Sequence, residues 1–244
     1  MPQKSPDERL LLLITSRCSG KCPECLYREN LGRQADLSLN ALEEKILPFI
    51  GSRHEIHIAG GEPTEHPQFF KIIELIAGKN PAFIQIISNG LPFSGSKRDA
   101  SAFALRLQSI ADKSPTRIFA RFSIDDIHAE GIKGGKGELA RRAKIINEVF
   151  SKTRGKLGFG FYSLKDKGQK ESEILRAYGL PRKRTMFSLG ERGFKLGGNE
   201  PTTFISAEGN VYRHEREFLR RQAPMGNITS LPLQEILKRR YTHR

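Results

Sequence analysis

Short apolar runs recur along the first two-thirds of the chain and alternate with stretches of helical period. Leu10–Ile14, His54–Ala59, Ala82–Ser88, Arg117–Ile124 and Lys156–Ser163 are rich in Leu, Ile and Phe and have the length of buried strands; Arg184–Leu189 is a sixth candidate. After the first run, Leu39, Leu42, Ile46, Phe49 and Ile50 fall on one face of a helix that Ser38 or Asp36 can cap. Further helices are predicted from about Pro67 to Ala77, over Ser96–Asp112, over Glu138–Phe150 with Leu139, Ile146 and Phe150 on one side, and over Glu171–Tyr178. Asn89-Gly90 closes the third strand with a turn signal. Strands alternating with amphipathic helices predict βα units with right-handed crossovers, and hence an α/β fold with a parallel sheet. Beyond Gly190 the texture changes. Gly190, Gly193, Gly197 and Gly198 punctuate a loop without phosphate-binding spacing, Thr202–Ser206 and Val211–Arg213 form a hairpin across Glu208-Gly209-Asn210, and a helix runs from Pro232 to about Arg240. There are no internal repeats.

The 244 residues suffice for one large domain with a sizeable core, and no apolar run approaches the roughly 20 residues that a membrane span needs. Met1–Arg9 is polar and lacks the apolar stretch of a secretory signal. All three cysteines lie between positions 18 and 25, so a disulfide framework is excluded and a reducing, cytoplasmic location is expected. The net charge of +14 is uneven: residues 1–150 carry 21 basic and 18 acidic side chains, residues 151–244 carry 20 and 9. The later part therefore favours an anionic partner: an acidic peptide, a phosphorylated small molecule or RNA. Aromatics are not interleaved with its basic clusters as on an RNA-binding surface, which speaks against nucleic acid.

The candidate chemistry sits directly after the first strand, in Cys18-Ser-Gly-Lys-Cys22-Pro-Glu-Cys25. Three thiols so spaced can converge on one metal centre from a single loop, and thiolates are soft ligands suited to iron–sulfur clusters or zinc. With no fourth cysteine, a four-iron cluster keeps one iron open to a non-protein ligand, whereas a zinc site needs a His or carboxylate to complete it. Gly60-Gly61-Glu62-Pro63 closes the second strand 35 residues after Cys25.

This cysteine spacing after a first strand, with the glycine–glutamate motif behind the second, resembles the radical S-adenosylmethionine (SAM) superfamily. The resemblance implies an open (β/α)6 TIM-like partial barrel over residues 9–190. Its active site would lie at the C-terminal ends of the strands, where the cysteine loop, Gly60–Pro63, Ser88–Gly90 and Ser123–Asp126 all fall. Cys18, Cys22 and Cys25 would hold a [4Fe–4S] cluster whose open iron binds SAM. An electron from a reductase or flavodoxin-type donor would then release methionine and a 5′-deoxyadenosyl radical, which abstracts a substrate hydrogen. Gly60 and Gly61 would let the backbone approach the methionine end of SAM, with Glu62 and Pro63 beside its amino group. Asn89, Ser123 and Asp125 would meet SAM from the ends of the third and fourth strands, although Asp125 is equally placed to cap the next helix. Lys133 or Lys136 would meet the SAM carboxylate or remain solvated. Glu24 departs from the family, which usually has an aromatic residue before the third cysteine; Tyr27 is the substitute at hand. His54 and His57 face opposite sides of one strand, and His57 and Tyr162 are candidates for reaching a substrate inside the barrel.

The tail, Ile205-Ser-Ala-Glu-Gly-Asn-Val-Tyr-Arg-His214 with Gly226-Asn227-Ile228 and Leu233-Gln-Glu-Ile236, resembles the start of a SPASM extension, here residues 191–244. Many radical SAM enzymes that modify ribosomal peptides carry one, and it normally holds auxiliary iron–sulfur clusters. His214 stands where the first auxiliary cysteine belongs and no later cysteine follows, so the scaffold is expected without its cluster. The implied function is hydrogen abstraction from a peptide, leading to epimerisation, a cross-link or oxidation, with redox-neutral epimerisation favoured by the missing auxiliary acceptor. Because the expected barrel begins almost at the N-terminus, no separate leader-binding domain is expected, and leader recognition would fall to the tail or another protein. The alternative substrate is an anionic nucleotide or small metabolite. From another class, the alternative is a non-catalytic zinc- or iron–sulfur-binding module with nucleic-acid affinity.

Overall fold

Five consecutive strands, β1 (Arg9–Leu13), β2 (Glu55–Ala59), β3 (Phe83–Ser88), β4 (Arg117–Ser123) and β5 (Leu157–Tyr162), pair in parallel in chain order. They belong to a computed structural model that describes residues 9–27, 34–163, 175–180, 186–187, 202–213 and 215–242. β6 (Met186–Phe187) pairs in parallel with β5. At the other edge β7 (Thr203–Ile205) lies parallel to β1 and continues, antiparallel, into β8 (Asn210–Tyr212) and β9 (Gly226–Asn227). Among the described residues the result is one open nine-stranded sheet ordered β6-β5-β4-β3-β2-β1-β7-β8-β9: the partial TIM-like barrel with a hairpin-and-helix extension that the sequence leads one to expect.

Helices make the crossovers. α1 (Leu39–Ala41) follows β1, α2 (Phe69–Ala77) follows β2 and α3 (Lys97–Asp112) follows β3. α4 (Asp126–Gly131) and α5 (Gly135–Phe150) both lie between β4 and β5, while α6 (Glu215–Leu219) and α7 (Leu233–Thr242) belong to the extension. Alternate strand residues divide the sheet into two faces. Leu10, Leu12, Ile56, Ile58, Ile84, Ile86, Ile118, Ala120, Phe122, Phe159 and Phe161 join the helices in the large core. On the inner face, Leu11, Leu13 and Ala59 form a second cluster with Phe204, Tyr212 and Phe218 of the extension. The buried polar residues His57, Gln85, Arg121 and Ser123 share the strand parity of that inner face.

The structure departs from the sequence reading in its details. The helix expected through Leu39 to Ile50 is a short α1, capped by Ser38 Oγ, that runs into a π-helical turn over Leu42–Ile46; Leu47 N–H reaches five residues back to Leu42 O (2.8 Å). Asp36 is not the cap. Its carboxylate instead accepts from Thr15 and Arg17. α4 was not expected as a helix apart from α5, and neither were α6 and β9. Of Glu171–Tyr178 only the stretch from Leu175 is described, helical at 175–177. The Gly190–Gly198 loop and His214 lie outside the described residues. Among the described residues no helix is long and apolar enough to cross a membrane.

Candidate active site

The segment leaving β1 is clamped before it reaches the cysteines. Thr15 O accepts from Gly61 N–H (2.8 Å) and Arg17 O from Glu62 N–H (2.7 Å), so this segment lies against the turn that closes β2. Only glycine permits the approach: a Cβ on Gly60 would stand 2.4 Å from Thr15 O, and one on Gly61 2.1 Å from Arg17 O. Asp36 holds the other side, accepting from Thr15 Oγ1 (2.6 Å), Arg17 Nε (2.9 Å) and Arg17 Nη2 (2.8 Å). Within the loop, Lys21 N–H donates to Gly131 O (2.8 Å) at the end of α4, and a Cβ on Gly131 would meet Cys22 Sγ at 2.5 Å.

Glu62 braces the ends of β2 and β3. Its carboxylate accepts from Thr64 N–H (3.1 Å), Thr64 Oγ1 (2.6 Å), Ser88 Oγ (2.9 Å) and Asn89 N–H (2.7 Å). It is 1% exposed, and burial pushes its pKa above the usual carboxylate value against the pull of these four donors.

Cys18, Cys22, Cys25, Gly60, Gly61, Asn89 and Ser123 all open on one cavity of about 100 Å³ at the C-terminal ends of the strands. Arg121 and Tyr162 line it from β4 and β5, and Leu26, Ile127 and His128 from the loop and α4. Burial lifts the Cys18 thiol to about 12; the Gly20 backbone opposes this, while the charges of Glu62 and Glu65 add to it. Burial lifts Cys22 to about 11, helped by Cys25 and Asp125. Such thiols ionise only against a positive centre, and the thiolates then prefer soft metals. There is also room for one: a Cβ on Gly20 would stand 3.3 Å from Cys18 Sγ and 3.9 Å from Cys22 Sγ, so glycine keeps the space between two sulfurs open. Donor set and cradle fit a thiolate-bound cluster. Among the described residues no three His, Cys, Asp or Glu side chains are grouped to hold a single ion, but a cluster offers each thiolate its own iron.

The cavity thus gathers the three cysteines, Gly60, Gly61, Asn89 and Ser123. Glu62 and Pro63 stand behind the glycines. Asp125 stands behind His128: it caps α4 by accepting from His128 N–H (2.9 Å), and its Oδ1 lies 2.6 Å from His128 Nδ1. Lys133 is exposed and Lys136 pairs with Asp126 (3.1 Å). Tyr162 lines the cavity, whereas His57 lies deeper, its Nδ1 3.0 Å from Gln85 Oε1 and its pKa pressed down to about 4 by burial. His54 packs its ring edge-on against Phe49. Tyr27 lines the cavity too, with its hydroxyl donating to Glu215 of α6. Two wall residues escape the sequence reading. Arg121 is 1% exposed and sets its guanidinium carbon 3.4 Å from the centroid of the Tyr162 ring. The signal for it is parity, since it precedes Ser123 by two in a strand. His128 follows Asp125 at cap spacing.

Residues 12–111 match the family model described as the radical SAM superfamily. No curated protein matches the chain. Among solved structures it is similar to Streptococcus suis SuiB bound to S-adenosylmethionine, at 14% identity and a TM-score of 0.52, over 94% of this chain and 65% of that one. It is similar also to SuiB bound to the precursor peptide SuiA, at 13% identity and a TM-score of 0.51, over 94% and 64%. The chain spans just under two-thirds of SuiB, and at these identities the likeness is one of fold.

Proposed function

We infer from the radical SAM domain at residues 12–111 that this protein is a radical SAM enzyme, and we propose a peptide as its substrate. The observation that carries the reading is the meeting of Cys18, Cys22 and Cys25 with Gly60 and Gly61 on one cavity at the strand ends. The cysteines would hold a [4Fe–4S] cluster. Gly60, Gly61, Asn89 and Ser123 would hold SAM, with Glu62, Pro63 and Asp125 fixing the turns behind them. When bound, these two groups would supply the radical chemistry that abstracts a hydrogen atom from the substrate.

The chain's own residues position and shield. No Cβ intrudes between the Gly60-Gly61 backbone and the methionine end of SAM. Glu62, by gripping Ser88 and Asn89, keeps the ends of β2 and β3 at one spacing. Leu26 and Ile127 add apolar surface to the cavity wall. A reductase or flavodoxin-type protein would supply the electron.

Support for a peptide comes from the likeness to SuiB, which binds the precursor peptide SuiA, and from the 20 basic against 9 acidic residues of 151–244, which would attract an acidic leader. In this reading residues 9–190 form the catalytic core and 191–244 a SPASM-like extension without an auxiliary cluster, and redox-neutral epimerisation is the outcome that fits. The test is anaerobic reconstitution, iron and sulfide analysis, and incubation with SAM and dithionite. Formation of 5′-deoxyadenosine is expected; protein without labile sulfide that leaves SAM intact overturns the reading. Repeating the incubation with acidic precursor peptides in deuterated water should place deuterium at a Cα. SAM cleavage without any change in such peptides, but with turnover of nucleotides or small anionic metabolites, would move the substrate to that class.

A further inference from the structure

Arg121 of β4 joins the cavity wall below the cysteine loop and its glycines. Register sets Arg121 between Ile87 of β3 and Gly160 of β5, one inner-facing step before the paired residues Ser123 and Tyr162. That step is two residues, about 6.6 Å along a parallel strand. The guanidinium is almost wholly buried yet forms part of the cavity wall. Gly160 is its register partner on β5, and Tyr162, the next residue on the same face, sets its ring centroid 3.4 Å from the guanidinium carbon, a distance that requires stacking. A guanidinium stacked in this way turns its face to the ring and its N–H donors outward in one plane. That is the geometry that meets a carboxylate through two parallel hydrogen bonds. The residues assigned to cluster and SAM lie at the strand ends or in the loops beyond them, and Arg121 lies one inward step below Ser123 in the wall of the same cavity.

We propose that Arg121 selects the substrate: its guanidinium, held flat by Tyr162, binds a substrate carboxylate in the lower part of the cavity. The proposal rests on the radical SAM reading, because it places that carboxylate beneath the reacting centre. The carboxylate belongs either to an acidic side chain or to a peptide C-terminus. SAM carries a carboxylate of its own, and binding of that group by Arg121 would overturn the proposal.

The test uses the reconstituted protein saturated with SAM, titrated calorimetrically with three probes. N-acetylglutamic acid α-amide offers a side-chain carboxylate, N-acetylalanine a terminal one, and N-acetylglutamine amide neither. At least one carboxylate should bind about tenfold or more tighter than the neutral amide, and the tighter one names the source. Arg121→Gln should abolish the preference and Arg121→Lys reduce it by about tenfold, because lysine cannot make the planar double contact, with SAM affinity unchanged in both. Absence of any preference, a preference that survives Arg121→Gln or is undiminished in Arg121→Lys, or a fall in SAM affinity in either variant overturns the proposal. Should Arg121→Gln fail to fold, the wild-type series and Arg121→Lys decide. SAM cleavage is assayed on the same samples. Wild-type protein that prefers carboxylates through Arg121 but leaves SAM intact refutes the radical SAM reading alone; cleavage without the preference refutes the role of Arg121 alone.

Discussion

The two faces of the sheet are built from alternate residues of the same strands and obey different rules. On the outer face Ile56, Ile58, Ile84, Ile86, Ile118, Ala120 and Phe122 meet the helices through apolar surface only, where shape and volume decide the energy. On the inner face His57, Gln85, Arg121 and Ser123 bring polar atoms into the interior, where hydrogen bonding and stacking count as well as volume: His57 Nδ1 pairs with Gln85, and Arg121 stacks on the Tyr162 ring. Stability and chemistry are therefore separable at a spacing of one residue. Changes to one face should leave the other's property in place.

The largest effect tests the site itself. Cys22→Ala removes one of three thiols from the cavity and is expected to abolish both the cluster absorbance and 5′-deoxyadenosine formation. The metal-free protein should melt within a few degrees of wild type, because Cys22 takes no part in either apolar cluster. Equal SAM cleavage by the variant would remove the cysteine loop from the mechanism. Phe122→Ala is the opposite probe. Phe122 lies on the outer face with ring centroids 5.4 Å from Phe93 and 5.5 Å from Phe150, so truncation should cost about 3–5 kcal/mol in urea denaturation. SAM affinity of the folded fraction should not move. A large loss of affinity with little loss of stability would mean that the two faces are not independent.

How much of this was legible in the sequence follows from the same division. The strands are readable because the outer face repeats Ile or Phe at every second position, as in Ile56/Ile58 and Ile84/Ile86. Ser96 announces its helix because the capping box with Asp99 is local. The cysteine loop and Gly60-Gly61 are legible for a similar reason, each being a short contiguous motif. The π-helical turn at Leu42–Ile46 is not, because an apolar residue four positions on suits an α-helix equally well. α4 spans only Asp126–Gly131, too short to show a helical period. The bond from Tyr27 to Glu215 joins residues 188 apart, and no local pattern encodes it.

The inner face should also carry a pH dependence that the outer face lacks. Burial holds His57 near 4 in the folded chain, against 6.5 when exposed. Between those values the unfolded chain takes up a proton that the folded chain refuses. Stability is therefore full above about pH 6.5 and declines as the pH falls towards 4, by about 3 kcal/mol in total from this residue. Urea melts at pH 7 and pH 4.5 should show a smaller difference for His57→Gln than for wild type. An equal difference would locate the acid sensitivity elsewhere.

The smallest expected effect lies where the extension meets the inner face. Tyr27 follows Cys25 by two residues, and its buried hydroxyl donates to the buried carboxylate of Glu215. Burial and the Glu215 charge raise the Tyr27 pKa well above its ordinary value, so the hydroxyl keeps the proton it donates. Phe218, one turn along α6 from Glu215, packs on Phe204 at 4.6 Å and on Tyr212 at 5.4 Å, which anchors the helix to β7 and β8. The hydrogen bond therefore ties the third cysteine to the edge of the sheet through an element of the extension. Tyr27→Phe keeps the ring but takes a donor from a buried carboxylate, which should cost about 1–3 kcal/mol. Glu215→Gln in the same chain should recover part of that loss, because a neutral amide is cheaper to leave short of a donor. A double-mutant cycle on urea stability measures the coupling directly. If the extension holds the loop, Tyr27→Phe should also lose its cluster faster under air than wild type does. A coupling near zero with an unchanged rate of cluster loss would reduce the contact to packing.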